Sequence, residues 1–254
     1  MATLSTSTWG DPSATKHVLL IHGITSSSQC WYRIAHEFAS RGYFVIAPDL
    51  LGHGHARRGT DYTIAAMVEE LKPLLTLPGH DYEHPYQIVI GHSLGGVVAS
   101  ALIPFLECSR PVRVVLVDPP LKPPQETTAI YADAIANNFK NPKTPEEYLR
   151  ENPLWTREDA ILKYSSVGLC DSAAVRAILE QMKPWSFAHL LSSVPDNVKV
   201  TVLAADPAKV PCVREEDLKP YPHVTVKTVW GASHNIPREL PLVVVDTALE
   251  GTTS

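Results

Sequence analysis

Two apolar runs open the chain, His17-Val18-Leu19-Leu20-Ile21 and Tyr43-Phe44-Val45-Ile46-Ala47, and both are continuous rather than alternating. Strands buried on both faces of a parallel sheet have this pattern, because neither face meets water. Similar runs over 86–90, Val112 to Val117, Val198 to Leu203 and Val224 to Val229 predict four further strands. Between the first two strands, Trp31 to Ser40 reads as a helix stopped by Arg41-Gly42. Thr63 to Leu75, a stretch ending near Leu106, and Pro237 to Leu249 complete the helical set. Strand and helix alternate, which predicts an α/β fold: a mostly parallel, doubly wound sheet.

One segment breaks the alternation. From Pro119 to Pro195 no strong strand pattern appears, and four helices are predicted instead: Thr127 to Asn138, Pro145 to Arg150, Arg157 to Ser166 and Ala173 to Met182. The segment is too long for a plain connection. It divides the chain into a core, residues 1–118 and 196–254, and a helical cap, residues 119–195, inserted between core strands. The cap is rich in aromatic residues, and a cleft between cap and sheet is the expected ligand pocket. Tyr131, Trp185 and Phe187 are the cap residues expected to reach substrate. The basic residues of the cap form no cluster along the sequence, so the pocket is expected to be mostly apolar and to prefer neutral, hydrophobic substrates.

Composition changes the picture mainly by exclusion. A chain of 254 residues with 44% hydrophobic and 19% charged residues has material for one large core. A formal net charge of −5 and the lack of any long basic run argue against nucleic acid or an anionic membrane as partner. No segment approaches the roughly 20 apolar residues of a membrane helix. Met1 to Lys16 is polar and lacks an apolar signal core, so a cytoplasmic location is the expectation. Cys30, Cys108, Cys170 and Cys212 are widely spaced and predict free thiols rather than disulfides or zinc ligands. His80 with His84 and His53 with His55 lack metal-ligand spacing on a helix, so no metal and no cofactor are expected. A small molecule is the expected partner, in a monomer or homodimer.

The chemistry concentrates in Gly91-His92-Ser93-Leu94-Gly95-Gly96, between a strand and a helix. A serine lifted from a sheet edge must sit in a strained turn, so the residues two positions away must be small. The helix that follows points its amides at developing negative charge. A serine hydroxyl needs a base, and the base needs a group that fixes its tautomer. His234 follows the last strand in Trp230-Gly231-Ala232-Ser233-His234-Asn235 and is the expected base. Asp206, in Ala204-Ala205-Asp206-Pro207, and Asp118, in Val117-Asp118-Pro119-Pro120, are the two candidate acids, because both follow strands that end at one edge of the sheet. Two backbone amides are needed for an oxyanion, and Leu94 and Ile24 are the expected donors. Gly23 lets the loop before Ile24 turn, His22 holds that loop, and Thr25 offers a hydroxyl near substrate.

These pieces resemble the α/β-hydrolase superfamily over essentially the whole chain. They are the His22-Gly23 loop, the Asp49-Leu50-Leu51-Gly52-His53-Gly54 turn, the Gly91–Gly96 elbow, Asp206 and the Gly231–His234 loop; the resemblance implies Asp206 as the acid, with Asp118 the alternative position. Cys30-Trp31-Tyr32 is also similar to the plant methylesterase and hydroxynitrile-lyase branch. Relatives of this fold that open epoxides or remove halides carry aspartate at the elbow, where this chain has Ser93. The resemblance implies a metal-free serine hydrolase of a carboxylic ester or lactone working through an acyl-enzyme. Two alternatives stay open: carbon–carbon hydrolysis or cofactor-free lyase chemistry with the same triad, and a ligand-binding, receptor-like protein on a hydrolase scaffold.

Overall fold

A computed structural model describes residues 4–75 and 85–251; His80 and His84 lie outside the described residues. Seven strands form one sheet in the order β1-β3-β2-β4-β5-β6-β7. They are β1 (Thr6–Trp9), β2 (Lys16–Ile21), β3 (Tyr43–Pro48), β4 (Tyr86–His92), β5 (Val112–Val117), β6 (Val198–Ala205) and β7 (Thr225–Val229). All pairs from β3 onward are parallel, with Leu20 opposite Ile90, Gly91 opposite Leu116, and Leu116 opposite Val202. The continuous apolar runs are these central strands, and they are buried on both faces, as Val18, Leu19, Leu20 and Ile21 show with no exposure at all.

Among the described residues, the strand that the hydrophobic pattern misses is β1, which pairs antiparallel with β3 at the edge of the sheet. Its four residues alternate between exposed and half-buried, a pattern too short and too polar to stand out. The sheet separates two apolar layers. One packs α2 (Ile64–Leu71) and α3 (Leu94–Leu102) on it, through Met67, Leu71, Val97 and Leu102. The other packs α1 (Tyr32–Ser40) and the C-terminal helix, through Ile34, Phe38, Val244 and Ala248.

Between β5 and β6 the chain forms α4 (Gln125–Lys140), α5 (Pro145–Glu151), α6 (Arg157–Leu169) and α7 (Ser172–Gln181). The starts of three follow from side-chain caps. Thr144 and Thr156 form capping boxes with Glu147 and Asp159, and Asp171 accepts from the amides of Ala173 and Ala174. These helices are tied to the body by Ser27–Ser166 and Tyr32–Thr156 hydroxyl bonds and by the Arg33–Asp159 ion pair at 3.2 Å. After β6 comes the short α8 (Glu215–Leu218). The closing helix predicted over Pro237 to Leu249 is two, α9 (Ile236–Glu239) and α10 (Pro241–Leu249). Pro241 disfavours helical geometry at Leu240, which sits at φ −135 and separates them.

The loops that follow β2, β4, β5, β6 and β7 all leave from the carboxyl ends of parallel strands. The strand order reverses between β2 and β4, and a crevice opens outside a sheet at such a point.

Candidate active site

Ser93 occupies that crevice. It follows β4 and precedes α3 with φ 54 and ψ −123, a conformation that L-residues rarely adopt. Its amide donates to the Val117 carbonyl at 2.9 Å, which fixes the turn against β5. A side chain at Gly91 would strike the Gly95 backbone, and one at Gly95 would strike the carbonyls of Ile21 and His22. The small residues flanking the serine are therefore required by the crossing of β2, β4 and α3. Leu94 is the first residue of α3, so its N–H has no acceptor within the helix.

The facing loop comes from β2. A Cβ at Gly23 would lie 2.9 Å from that of Ser93, so only glycine allows this approach. Two buried histidines hold the loop. His22 Nε2 accepts from the Leu50 amide at 3.0 Å, so its Nδ1 is the protonated nitrogen and donates to the Gly23 carbonyl at 2.8 Å. His53 Nε2 accepts from the Thr25 amide at 3.1 Å, and its Nδ1 donates to the Leu51 carbonyl at 3.0 Å. Each ring uses one donor and one acceptor and is neutral. Burial lowers both below the ordinary imidazole value, His53 to about 3. His53, in the turn after β3, is thus a structural residue rather than a metal ligand. Thr25 itself has φ 54, an outlier for a β-branched residue.

Opposite Ser93, the loop after β7 carries His234. Its Nδ1 donates to Asp118 Oδ2 at 2.6 Å. Asp118 is fully buried at the end of β5, and its carboxylate also accepts from the amides of Cys212, Val213 and Ala205. Burial disfavours the charged form of His234, but the Cys212 sulfur and the Asp118 carboxylate favour it more and raise the imidazole above its ordinary value. His92 helps hold the loop, its Nε2 donating to the His234 carbonyl at 2.8 Å.

The expectation that Asp206 partners His234 is corrected here. Asp206 is half-buried, and its two oxygens accept from the amides of Ala208 at 2.9 Å and Gly231 at 2.7 Å. It caps the turn that starts at Pro207 and braces the outside of the His234 loop. The difference from Asp118 has a local cause. After Asp206, Pro207 is followed by a residue with an N–H, which the carboxylate captures. After Asp118 come Pro119 and Pro120, neither of which has an N–H, so that carboxylate is left for partners across the sheet.

Ser93, His234, Ile24 and Leu94 line one cavity of about 300 Å³ beneath the cap helices. Gly23, Thr25, Tyr131 and Trp185 line it as expected, and the Tyr131 ring lies 5.1 Å from that of His234. Phe187 does not. It packs against the core beside Trp185, ring to ring at 6.1 Å, and its amide is held by the Leu121 carbonyl. Cys212, which the sequence offered only as a free thiol, lies beside His234 and Asp118, with ligand-type atoms of the three within 4.8 Å. The cavity is mostly apolar, as expected, but three basic residues also line it. Lys143, Lys163 and Arg238 line the cavity together with Ile135, Leu179 and Trp155. Lys163 and Arg238 are 75 positions apart, on α6 and α9, and no spacing along the chain reveals that they meet.

Five non-glycine residues among those described have a positive φ: Thr25, Ser93, Asp118, Trp185 and Val210. Three line the cavity, Asp118 holds His234, and the Val210 carbonyl accepts from the Tyr131 hydroxyl at 2.9 Å. Backbone strain is concentrated at this site.

Comparison with known proteins agrees with this architecture. A sequence model of the alpha/beta hydrolase family matches residues 18–247, and the chain belongs to that family. It is 40% identical over 111 residues to the lipase LipV of Mycobacterium tuberculosis, covering 42% of this chain and 39% of that protein. It is 32% identical over 91 residues to methylesterase 7 of Arabidopsis thaliana, covering 35% of each. The chain thus matches about two fifths or less of the length of these relatives. Among solved structures, the N-formylmaleamic acid deformylase of Pseudomonas putida S16 superposes with a TM-score of 0.72 at 23% identity, over 96% of this chain and 94% of that one. An esterase from Exiguobacterium antarcticum gives 0.75 at 11%, over 96% and 93%. At such identities the likeness is one of fold. Among the described residues no helix is long and apolar enough to cross a membrane.

Proposed function

We propose that this protein is a serine hydrolase of carboxylic esters or lactones, with Ser93 as nucleophile, His234 as general base and acid, and Asp118 as the group that orients His234. The observation that carries the reading is the His234–Asp118 bond of 2.6 Å beside a strained serine on the same cavity. In the first step His234 Nε2 takes the Ser93 proton as Oγ attacks the carbonyl carbon. The amides of Ile24 and Leu94 receive the developing oxyanion. His234 returns the proton to the leaving alcohol, and an acyl-enzyme remains on Ser93. Water, deprotonated by the same imidazole, then releases the acid and restores the serine. Asp118 stays ionised throughout; it stabilises the imidazolium and fixes the tautomer that leaves Nε2 free to accept. Kinship with proteins named lipase and methylesterase supports ester substrates.

The test is a screen of purified protein against short and long acyl esters and lactones. Steady turnover that disappears in Ser93→Ala supports the proposal. A single burst of product without turnover would point to a receptor-like role, and turnover that survives Ser93→Ala would remove the serine mechanism.

A further inference from the structure

Two cations of the cavity wall have no part in the mechanism above. Arg238, on α9, is only 4% exposed. Its guanidinium lies over the Trp155 ring, 4.9 Å from the centroid; one nitrogen makes a long 3.4 Å bond to Ser26 Oγ, and Nε has no acceptor. Lys163, on α6, reaches across from the cap, and its Nζ donates to the Thr25 carbonyl at 2.9 Å and to Thr25 Oγ1 at 2.8 Å. Among the described residues neither cation is in an ion pair. The acids nearby are spent elsewhere. Asp159 accepts from Thr156 and Arg33, and Glu151 pairs with Lys143.

Buried charges are normally compensated by a counter-charge, and an aromatic face offsets only part of the cost. At the half-buried Lys163, desolvation and then the neighbouring Arg238 push the ammonium down to about 7. The groups these cations contact, Thr25 and Ser26, directly follow Ile24. Both charges therefore stand beside the place where a substrate carbonyl would meet the oxyanion donors.

We propose that Lys163 and Arg238 form a carboxylate-recognition site, and that the substrates carry a free carboxylate close to the scissile carbonyl, as half-esters of short dicarboxylic acids do. This rests on the serine-hydrolase reading and narrows its substrate class. Arginine offers a planar fork matched to a carboxylate, and lysine adds a point charge. One bound carboxylate supplies the counter-charge that both lack, in surroundings where water screens the attraction poorly. Ile135 and Trp185, which also line the cavity, give a methylene chain apolar surface, and about 300 Å³ suits a short acyl group.

The test compares the 4-nitrophenyl half-ester of glutaric acid with 4-nitrophenyl pentanoate, which share acyl length and leaving group. For the wild type, kcat/KM should favour the half-ester by about tenfold or more, and free glutarate should compete with pentanoate ester hydrolysis where pentanoate ion does not. Arg238→Met should collapse the half-ester preference, whichever way the absolute rates move. Should Arg238→Met fail to fold, glutarate competition in the wild type decides. Equal or reversed preference without glutarate inhibition, or a preference that survives in folded Arg238→Met, overturns the proposal. If the pentanoate ester is turned over without any half-ester preference, only the carboxylate site is wrong. If neither ester reacts and a serine-directed probe leaves Ser93 unlabelled, the serine-hydrolase reading fails and this proposal with it.

Discussion

His234 is bonded to Asp118, the residue after β5, and not to Asp206, the residue after β6. The distance is 2.6 Å, and the same carboxylate takes backbone amides from the segment 212–213 that follows β6. The acid is thus part of a network joining three strand ends.

This pairing predicts unequal effects of two conservative substitutions. Asp118→Asn should cost about 100-fold to 10,000-fold in turnover, because an amide neither fixes the tautomer nor stabilises the imidazolium. Asp206→Asn should cost less than about tenfold, since one amide oxygen still braces one end of the His234 loop. Steady-state kinetics on both variants would check this, and the reverse order would return the acid to Asp206.

The pH profile follows from the same bond. Burial opposes the imidazolium of His234, while Cys212 and Asp118 raise its pKa above the ordinary value of 6.5. Only the neutral ring can take a proton from Ser93, so kcat/KM should rise with pH through this raised ionisation. Removing the carboxylate in Asp118→Asn should move the residual rise to lower pH. A profile whose acid limb is unmoved by the substitution would contradict the assignment.

Three other histidines act on stability with the opposite sign. Burial is the main cause that lowers His22, His53 and His92 below 6.5 in the folded protein. Their contribution to stability is full above 6.5 and is lost as the pH falls, because the unfolded chain takes up protons that the folded rings refuse. Thermal melts should show Tm dropping steadily below about pH 6.5. A Tm that holds constant down to about pH 4 would count against the neutral, buried rings.

The cap aromatics should separate by kinetics. Trp185→Ala opens the cavity wall and should change KM or substrate preference. Phe187→Ala should leave KM unchanged and cost about 2 kcal/mol or more of stability, as a large-to-small change against the core. Denaturant melts beside steady-state kinetics on each variant would distinguish the two roles.

The parts of this molecule legible in the sequence are those written in local pattern. Central strands are continuous apolar runs, and the elbow needs small residues at fixed positions because β2 and α3 cross there. The identity of the acid was less legible, since Asp118 and Asp206 both end parallel strands at one sheet edge. A local signal does separate them: Pro119-Pro120 leaves the Asp118 carboxylate without a neighbouring N–H, whereas Ala208 takes that of Asp206. The cations of the cavity left no signal at all. Lys163 and Arg238 come from the cap and from the far end of the chain, and only the folded cap brings them to adjacent residues of one loop.

The most direct test of the account is covalent labelling. The protein is incubated with a fluorophosphonate, digested, and the modified peptide identified by mass spectrometry, in wild type, Ser93→Ala and Asp118→Asn. One adduct is expected, on Ser93, absent in Ser93→Ala and formed far more slowly in Asp118→Asn. An unlabelled wild type, or an adduct on any other residue that persists in Ser93→Ala, would contradict it.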